Sequence, residues 1–452
     1  MEDLPNGFTG FANRSRKPGF ESAGDAMRRA HSEIAYGAPA PRGAFQYPAD
    51  LGIDDGQPHV VEPYAEDELK GIEATDRRWA WVEIDQAAIR HNTIEVKHRL
   101  NRGCRLMAVV KADGYGHGAV ACAKASLSAG ADYLGVATVD EALELRAAGI
   151  TAPLMLLAQP PETAIPLLLA HQIMPAVYDP MFAVAYGEAA DLHGMVAPYH
   201  LAVNTGMNRI GVRHEEVVEF LRQVNFHRGL ELAGVFTHFA TADCPETFDF
   251  QVQARRFADA VGCIQAAGIN PGIVHAANSA AILRYPAVHF DMVRLGVSLY
   301  GFHPCPETRR IIDLRPAMSV HARITDARFV PTGEGVSYGL HYRSPGSVKI
   351  CTLPVGYADG YQRGLSGNID VVYAGRYWRQ VGNICMDQCM FEVDMRSSGL
   401  RERIDPQVGD EVLIVGTQGG ASVTIDEMAE KLGTIHYEIA VGFSRRLPRL
   451  IV

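Results

Sequence analysis

The sequence lacks several features, and each absence argues against a class of protein. It has no basic excess, since the net charge of its 452 residues is −10 at pH 7, whereas nucleic-acid-binding proteins present a basic surface to the phosphates. It has no run approaching the ~18–20 apolar residues of a membrane-spanning helix, and its first thirty residues contain no apolar signal core. We therefore expect a cytoplasmic protein that binds neither nucleic acid nor membrane.

Paired cysteines are also missing. The eight cysteines show no disulfide framework, which favours reduced thiols in a cytoplasm. Cys385 and Cys389 lie four residues apart, but no second pair and no nearby histidine completes a zinc site. We expect free thiols and no bound metal.

Residues 1–76 differ in composition from the rest of the chain. They are rich in Gly, Pro and Ala, contain charge clusters such as residues 66–68, and show no sustained helical or strand period. We predict a mostly disordered extension without a catalytic role. An overlong start is the alternative, with Met27 as a second candidate start.

After this extension, short β-rich runs alternate with helical patterns, as βα units do. Thr138, followed three residues later by Glu141, has the pattern of a helix-capping box directly after such a run. Eight units predict a (β/α)8 barrel over residues 77–312. The predicted strands are 106–111, 133–137, 154–158, 174–178, 199–203, 232–238, 273–277 and 290–294.

The pattern changes after residue 312. Short β-rich runs are separated there by Gly, Pro and Asp turns, and no long helical pattern appears before residues 425–432. We predict a second, mainly β domain over residues 313–452. The early run 79–84 precedes the barrel and is a candidate to pair with this domain.

Candidate functional residues follow the predicted barrel strands, because functional groups collect where the strands of such a barrel end. Lys111 ends the first strand after a run of apolar residues. A partly desolvated lysine has a lowered pKa and becomes a usable nucleophile for a carbonyl. A lysine at the barrel rim without a catalytic role is the alternative.

The ends of the last two barrel strands are suited to a phosphate. Asn278 and Ser279 follow the seventh strand at the start of a helical pattern, offering a hydroxyl and backbone N–H groups. Arg294 ends the eighth strand, and Gly296 two residues later allows a close approach of the backbone. Tyr115 and Tyr437 could add hydroxyl groups.

Many short motifs occur here in one order, and together they resemble the alanine racemases, which are pyridoxal-phosphate (PLP) enzymes. The resemblance covers residues 79–452. The matching motifs are AVVKADGYGHG (108–118), NTGMNRIG (204–211), FTHF (236–239), ANSAA (277–281), DMVR (291–294), VSYG (336–339), VGYADG (355–360), CMDQ (385–388) and YE (437–438).

The resemblance implies a role for each motif. Lys111 would carry PLP covalently and act as the base on one face of the substrate, and Tyr338 would act on the opposite face. Racemisation suits two such groups, because a planar carbon must be reprotonated from the other side. Arg294 would donate to the pyridine nitrogen. The other implied cofactor contacts are Tyr115, His238, Asn278, Ser279, Gly296, Val297 and Tyr437.

The resemblance also implies the substrate contacts and the assembly. Arg209 and the backbone at Met386 would bind the substrate carboxylate, and Asp387 would shape the entrance or form a turn. In this family Tyr338 and the Met386 segment come from the neighbouring subunit. The expected protein is therefore a homodimer with shared active sites, acting on a small amino acid.

One departure from the family pattern lies near Arg209. Most members carry a lysine seven residues before that arginine, which becomes carbamylated, and an aspartate two residues after the lysine; here the positions hold Ala202 and Asn204. A bound anion such as chloride, or Asn204 with water, would replace the missing acceptors. Some relatives with a broader substrate range share this pattern.

The expected reaction is interconversion of L- and D-alanine, supplying D-alanine for peptidoglycan. A broad-specificity or serine racemase is the alternative within the family. A non-catalytic PLP carrier would lack the second domain and Tyr338. A PLP decarboxylase would place a cysteine acid in the second domain, where Cys351, Cys385 and Cys389 lie.

Overall fold

The computed structural model describes residues 74–224, 226–394 and 404–452. Of the extension predicted over residues 1–76, residues 1–73 lie outside the described residues. A short helix, α1 (Ala74–Arg77), comes first, and the strand β1 (Ala80–Ile84) follows it.

A closed barrel of eight parallel strands follows, and all eight predicted strands are confirmed. Pairing of the fourth with the fifth barrel strand and of the eighth with the first closes the ring. The barrel strands are β2 (Arg105–Val109), β3 (Tyr133–Val136), β4 (Leu154–Leu156), β5 (Ile173–Val177), β6 (Ala197–Asn204), β8 (Leu230–Phe236), β9 (Ile273–His275) and β10 (Met292–Leu295), with a two-residue strand β7 (Val212–Arg213) beside β6.

Helices connect the barrel strands. The capping box predicted at Thr138 is present, since its side chain accepts from the Glu141 N–H at 3.3 Å and Glu141 accepts from the Thr138 N–H at 3.3 Å. The helices of this region are α2 (Gln86–Lys97), α3 (Lys111–Tyr115), α4 (Ala119–Ser128), α5 (Val139–Ala147), α6 (Ile165–Ala170), α7 (Pro180–His193), α8 (Val217–Val224), α9 (Phe248–Ala266) and α10 (Ser279–Arg284).

The second domain is built on a ten-stranded sheet. Two helices, α11 (Ile425–Leu432) and α12 (His436–Gly442), precede its last strand. The strands after the barrel are β11 (Met318–Arg323), β12 (Asp326–Val330), β13 (Gly335–Val336), β14 (Tyr342–Arg343), β15 (Val348–Leu353), β16 (Asp370–Tyr373), β17 (Arg376–Val381), β18 (Cys389–Val393), β19 (Glu411–Gln418), β20 (Ala421–Val423) and β21 (Arg449–Ile451); β13 and β14 form a separate two-stranded sheet.

Strand β1 belongs to the sheet of the second domain. It pairs antiparallel with β11 and parallel with β21, which confirms the pairing expected for residues 79–84. From β1 onward, the chain passes from the sheet of the second domain into the barrel and then returns to that sheet. The domain boundaries predicted at residues 76 and 312 stay predictions.

Two separate buried clusters hold the barrel together. The larger one extends from the barrel into the second domain. A smaller one contains Met107, Met155, Ala176, Ala202, Phe236 and Met292, each from a different barrel strand. Close packing of such apolar groups is the main source of stability in a barrel, and it holds the strand ends in place around the site.

Three further observations concern cysteines, metals and membranes. All eight cysteines are free thiols. No group of three His, Cys, Asp or Glu residues in the described ranges is arranged to hold a metal ion. None of the described helices is long and apolar enough to cross a membrane.

Candidate active site

A cavity of about 560 Å³ opens at the carboxyl ends of the barrel strands. It brings together residues that are far apart in the sequence. Its lining includes the predicted residues Lys111, Tyr115, Arg209, His238, Asn278, Ser279, Arg294, Gly296, Val297 and Tyr437, but neither Tyr338 nor Met386.

Lys111 lies just beyond β2, at the start of an unusual turn. Residues 112–115 all have left-handed backbone angles, with φ between 52° and 60°. Glu141 stabilises this turn, because its carboxylate accepts from the Ala112 N–H at 2.7 Å and from the Ala137 N–H at 2.7 Å. The sequence indicated Glu141 only as part of a capping box.

The environment of Lys111 lowers the pKa of its ammonium group. Burial is the main cause, the positive charge of Arg209 adds to it, and the carboxylate of Glu141 opposes it. Both dominant effects disfavour the charged amine. Lys111 is therefore easier to deprotonate than an exposed lysine, as a nucleophile or a base must be.

The loops after β9 and β10 form a cradle of hydroxyl and N–H groups. The Ser279 hydroxyl accepts from the Gly296 N–H at 3.0 Å and from the Ser298 N–H at 3.4 Å. A Cβ atom at position 296 would lie 3.2 Å from the Tyr115 hydroxyl and 3.7 Å from the Ser279 hydroxyl. Only glycine therefore leaves this space open.

Other residues around the cradle have different functions. Asn278 caps α10, because its side-chain oxygen accepts from the Ala281 N–H at 3.1 Å, and its amide donates to the Phe239 carbonyl at 3.3 Å. The rings of Tyr115 and Tyr437 lie 6.1 Å apart. Burial raises the pKa of Tyr115 to about 12 and also raises the pKa of Tyr437. Both hydroxyls therefore remain neutral hydrogen-bond donors at neutral pH.

Arg294 is buried among acceptors. Its Nη2 donates to the carbonyls of Thr237 at 2.7 Å and Ala276 at 2.9 Å, and lies 3.1 Å from His238 Nδ1. Its Nη1 lies 3.1 Å from His275 Nδ1. Because a guanidinium group only donates, both imidazoles accept through Nδ1. Within the described residues the Nε of Arg294 has no partner, so it can donate to a ligand.

Burial determines the charge state of this cluster. Burial, followed by the charge of Arg209, lowers the pKa of Arg294 to about 9, so the guanidinium stays charged at neutral pH. Burial, followed by the charge of Arg294, holds the pKa of His238 well below its usual range, and this imidazole is neutral. The sequence motifs did not identify His275, although a histidine inside a predicted buried strand was a detectable signal.

Arg209 differs from Arg294 because none of the described residues is its hydrogen-bond or ion-pair partner. Its side chain is exposed in the single chain, and no hydrogen bond or ion pair joins it to another described residue. Asn204 does not reach it. The Asn204 side-chain oxygen accepts instead from the N–H groups of Gly206 and Asn208, each at 3.1 Å. Arg209 and Arg294 outnumber Asp243, the one carboxylate in the lining of the cavity, so the cavity is positive and suited to anionic ligands.

The structure does not bring Tyr338 and Met386 into this cavity. Their side chains are 74% and 54% exposed on the second domain, beside Tyr357 at 41%. They are nevertheless anchored, because the Asn383 amide donates to the Tyr338 carbonyl at 2.7 Å and the Ala358 N–H donates to the Met386 carbonyl at 3.0 Å. The chain thus presents an ordered aromatic and apolar surface to its surroundings.

Comparison with known proteins adds the following findings. Residues 84–304 match the family described as "Alanine racemase, N-terminal domain", and residues 317–451 match "Alanine racemase, C-terminal domain". The alanine racemase of Synechocystis sp. is 42% identical, over 83% of this chain and 100% of the relative. The alanine racemase of Desulfovibrio desulfuricans is 43% identical, over 83% of this chain and 98% of the relative.

Solved structures of amino-acid racemases also resemble this chain. The alanine racemase of Bacillus anthracis with bound L-Ala-P superposes with a TM-score of 0.76 at 37% identity, covering 83% of this chain and 95% of that chain. A histidine racemase from Leuconostoc mesenteroides subsp. sake superposes with a TM-score of 0.74 at 30% identity, covering 83% of this chain and 98% of that chain.

Proposed function

Because the chain belongs to the alanine racemase family, we propose that it interconverts L- and D-alanine with bound PLP, in the cytoplasm, and supplies D-alanine for peptidoglycan. One observation carries this proposal. The cavity collects a desolvated lysine, a cradle of hydroxyl and N–H groups and a buried guanidinium with a free donor, and these groups match an aldehyde, a phosphate and a pyridine nitrogen.

The residues present fit the cofactor. The phosphate would be held by the Ser279 and Tyr115 hydroxyls and by the backbone at Gly296. Other residues of the cavity would surround it, namely Asn278, Val297 and Tyr437. Arg294 Nε would donate to the ring nitrogen and, being charged, would leave that nitrogen unprotonated. The neutral imidazole of His238, which is hydrogen-bonded to Arg294, would lie beside the pyridine ring of the cofactor. The chemistry that PLP supplies when bound is withdrawal of electrons from the α carbon of the amino acid.

Two residues would exchange the α proton. Lys111 Nζ, with its lowered pKa, would hold or accept the proton on one face, and the Tyr338 hydroxyl would do so on the other. Arg209 and the backbone at Met386 would hold the substrate carboxylate between them. The positive cavity supports this assignment, because its arginines attract both a carboxylate and a phosphate.

We infer that the enzyme works as a homodimer with shared sites. Tyr338 and Met386 are absent from the cavity of their own chain and exposed on its second domain. An exposed surface of Tyr and Met side chains is typical of the core of a protein interface. The partner's Tyr338 and the partner's Met386 would complete each cavity.

A broader substrate range is the second candidate function. Ala202 lines the cavity where the family lysine would stand, and Arg209 has no partner among the described residues. Both features leave more room near the substrate carboxylate. Serine is therefore the expected second substrate, with alanine preferred.

Incubation of the PLP-loaded protein with a panel of L-amino acids, followed by chiral chromatography, tests the proposal. We expect D-alanine to form fastest and D-serine more slowly, with the Lys111→Ala variant as an inactive control. Release of an amine and carbon dioxide would instead identify a decarboxylase. If no D-amino acid forms from any L-amino acid of the panel, the racemase assignment is refuted.

A further inference from the structure

A buried carboxylate lies behind the exposed surface that carries Tyr357 and Met386. Asp359 is fully buried, and its Oδ2 accepts from Arg78 Nη2 at 2.6 Å and from the Gly356 N–H at 3.0 Å. Its Oδ1 lies 3.5 Å from Arg446 Nε. A buried charge is tolerated only when it is paired and hydrogen-bonded. Oδ2 meets both conditions through Arg78 and the Gly356 N–H, whereas Oδ1 has no hydrogen-bond partner among the described residues and only the ion pair with Arg446.

Arg446 extends the network to the surface. While its Nε lies near Asp359, its Nη2 donates to Asp387 Oδ1 at 2.6 Å. Asp387 is the residue next to Met386. One half-exposed guanidinium therefore connects a fully buried carboxylate to the segment that carries Met386.

Backbone contacts make the connection rigid. The Tyr357 N–H donates to the Cys385 carbonyl and the Ala358 N–H to the Met386 carbonyl, each at 3.0 Å. A Cβ atom at Gly356 would lie 2.3 Å from the carbonyl oxygens of both Cys385 and Met386. The 356–360 turn and the 385–387 segment thus lie against each other with no side chain between them.

We propose that Asp359 and Arg446 are positioning residues, which hold the 356–360 turn and through it the backbone at Met386 in place for the substrate carboxylate. This inference rests on the proposed function, in which that backbone binds substrate in the partner's cavity. Asp359 anchors the turn from inside, because its carboxylate accepts from the turn's own Gly356 N–H. Arg446 adds a second restraint through Asp387.

The loss of either residue should weaken substrate binding more than turnover. We expect Asp359→Asn and Arg446→Met each to raise the KM for alanine about tenfold, the scale of one charged hydrogen bond, with a smaller change in kcat. Inhibition by propionate, a carboxylate without an amine, should weaken by a similar factor. Arg446→Lys keeps the charge and should restore part of the affinity. Arg328→Met is the matched control, because Arg328 pairs with Asp326 on the exposed β12, and its KM should not change.

The outcomes separate this inference from the proposed function. A wild-type protein without racemase activity refutes the proposed function. An active enzyme in which both variants keep normal KM and propionate inhibition, and lose only thermal stability, refutes the positioning role. If Asp359→Asn does not fold, the half-exposed Arg446→Met decides by the same criterion.

Discussion

Arg294 and Arg209 are both guanidinium groups in one cavity, yet their surroundings are opposite. Arg294 is buried with carbonyl and imidazole acceptors around it, which hold it in one orientation. Arg209 has no acceptor among the described residues, because Ala202 carries no polar group and Asn204 is used within its own loop. At the scale of single residues, the N–H groups of Arg209 therefore remain available to bind an anion.

A mobile anion beside Arg209 predicts an activity that depends on chloride. Replacing chloride by a bulky, poorly coordinating anion should lower kcat/KM for alanine by about ten- to a hundredfold, since a hydrogen bond to a charged group contributes roughly 1.5–3 kcal/mol. Addition of bicarbonate should change nothing. Steady-state racemisation of alanine and serine in matched buffers measures both effects.

Ala202→Lys is the control for this prediction. A lysine at this position restores the residue that becomes carbamylated in most of the family, so the variant should respond to bicarbonate and depend less on chloride. Equal activity of the wild-type protein with and without chloride would contradict the anion hypothesis.

At the scale of elements, two loops depend on each other. The loop after β9 supplies the Ser279 hydroxyl, and the loop after β10 supplies Gly296, whose N–H donates to that hydroxyl at 3.0 Å. The left-handed turn after β2 brings the Tyr115 hydroxyl to the same place. Three separate strand ends therefore form one cradle, and a change in any of them should alter cofactor binding.

Gly296→Ala tests the cradle directly. The methyl group that this substitution adds would lie 3.2 Å from the Tyr115 hydroxyl. We expect PLP affinity to fall about tenfold or more, since overpacking a well-filled site costs roughly 1–3 kcal/mol. Titration of the apoprotein followed by visible absorption measures this affinity.

Gly262→Ala is the matched control for that measurement. Gly262 lies in α9, where no atom would lie within 4 Å of the added methyl group. This variant should bind PLP as the wild-type protein does. Unchanged affinity in Gly296→Ala as well would show that the phosphate lies elsewhere.

At the scale of the whole molecule, each chain has an incomplete set of the proposed residues in its own cavity. Lys111, Arg209 and Arg294 line the cavity, whereas Tyr338 and Met386 are exposed on the second domain. A two-fold symmetric dimer would place the second set of one chain against the cavity of the other. Neither site would then function without the partner.

Shared sites predict that two inactive variants restore each other. Lys111→Ala and Tyr338→Phe should each be nearly inactive as homodimers, the latter by about 10²–10⁴-fold, the value of a positioned proton transfer. In a heterodimer of the two, one site combines the intact Lys111 with the partner's Tyr338. Co-expression with two different affinity tags and purification of the heterodimer should give about half of the wild-type kcat per dimer, because one of the two symmetric sites is intact.

The control is a heterodimer in which both substitutions lie on one chain and the other chain is wild-type. It leaves each site with one substituted residue, so it should be nearly inactive. The opposite result would contradict the proposal. If the heterodimer of a Lys111→Ala chain with a Tyr338→Phe chain stays inactive and this control is half active, each chain uses its own Tyr338, and the shared-site proposal is wrong.

The sequence by itself determined the local features. The alternation of short β-rich runs with helical patterns predicted all eight barrel strands, and the Thr138–Glu141 spacing predicted a capping box. The position of Lys111 at the end of the first barrel strand placed it at the cavity. These predictions succeeded because periodicity, helix capping and strand ends depend on neighbouring residues, whose order the sequence states directly. The family motifs also depend only on residue order.

The tertiary structure alone decided how distant residues meet. It showed that Glu141 also stabilises the turn after Lys111, that His275 accepts from Arg294, and that Asn204 is used by its own loop. It also selected β11 and β21, out of all the strands of the second domain, as the neighbours of β1. Such contacts join residues far apart in the sequence, and the partner that a side chain finds depends on long-range packing, which a local pattern does not contain.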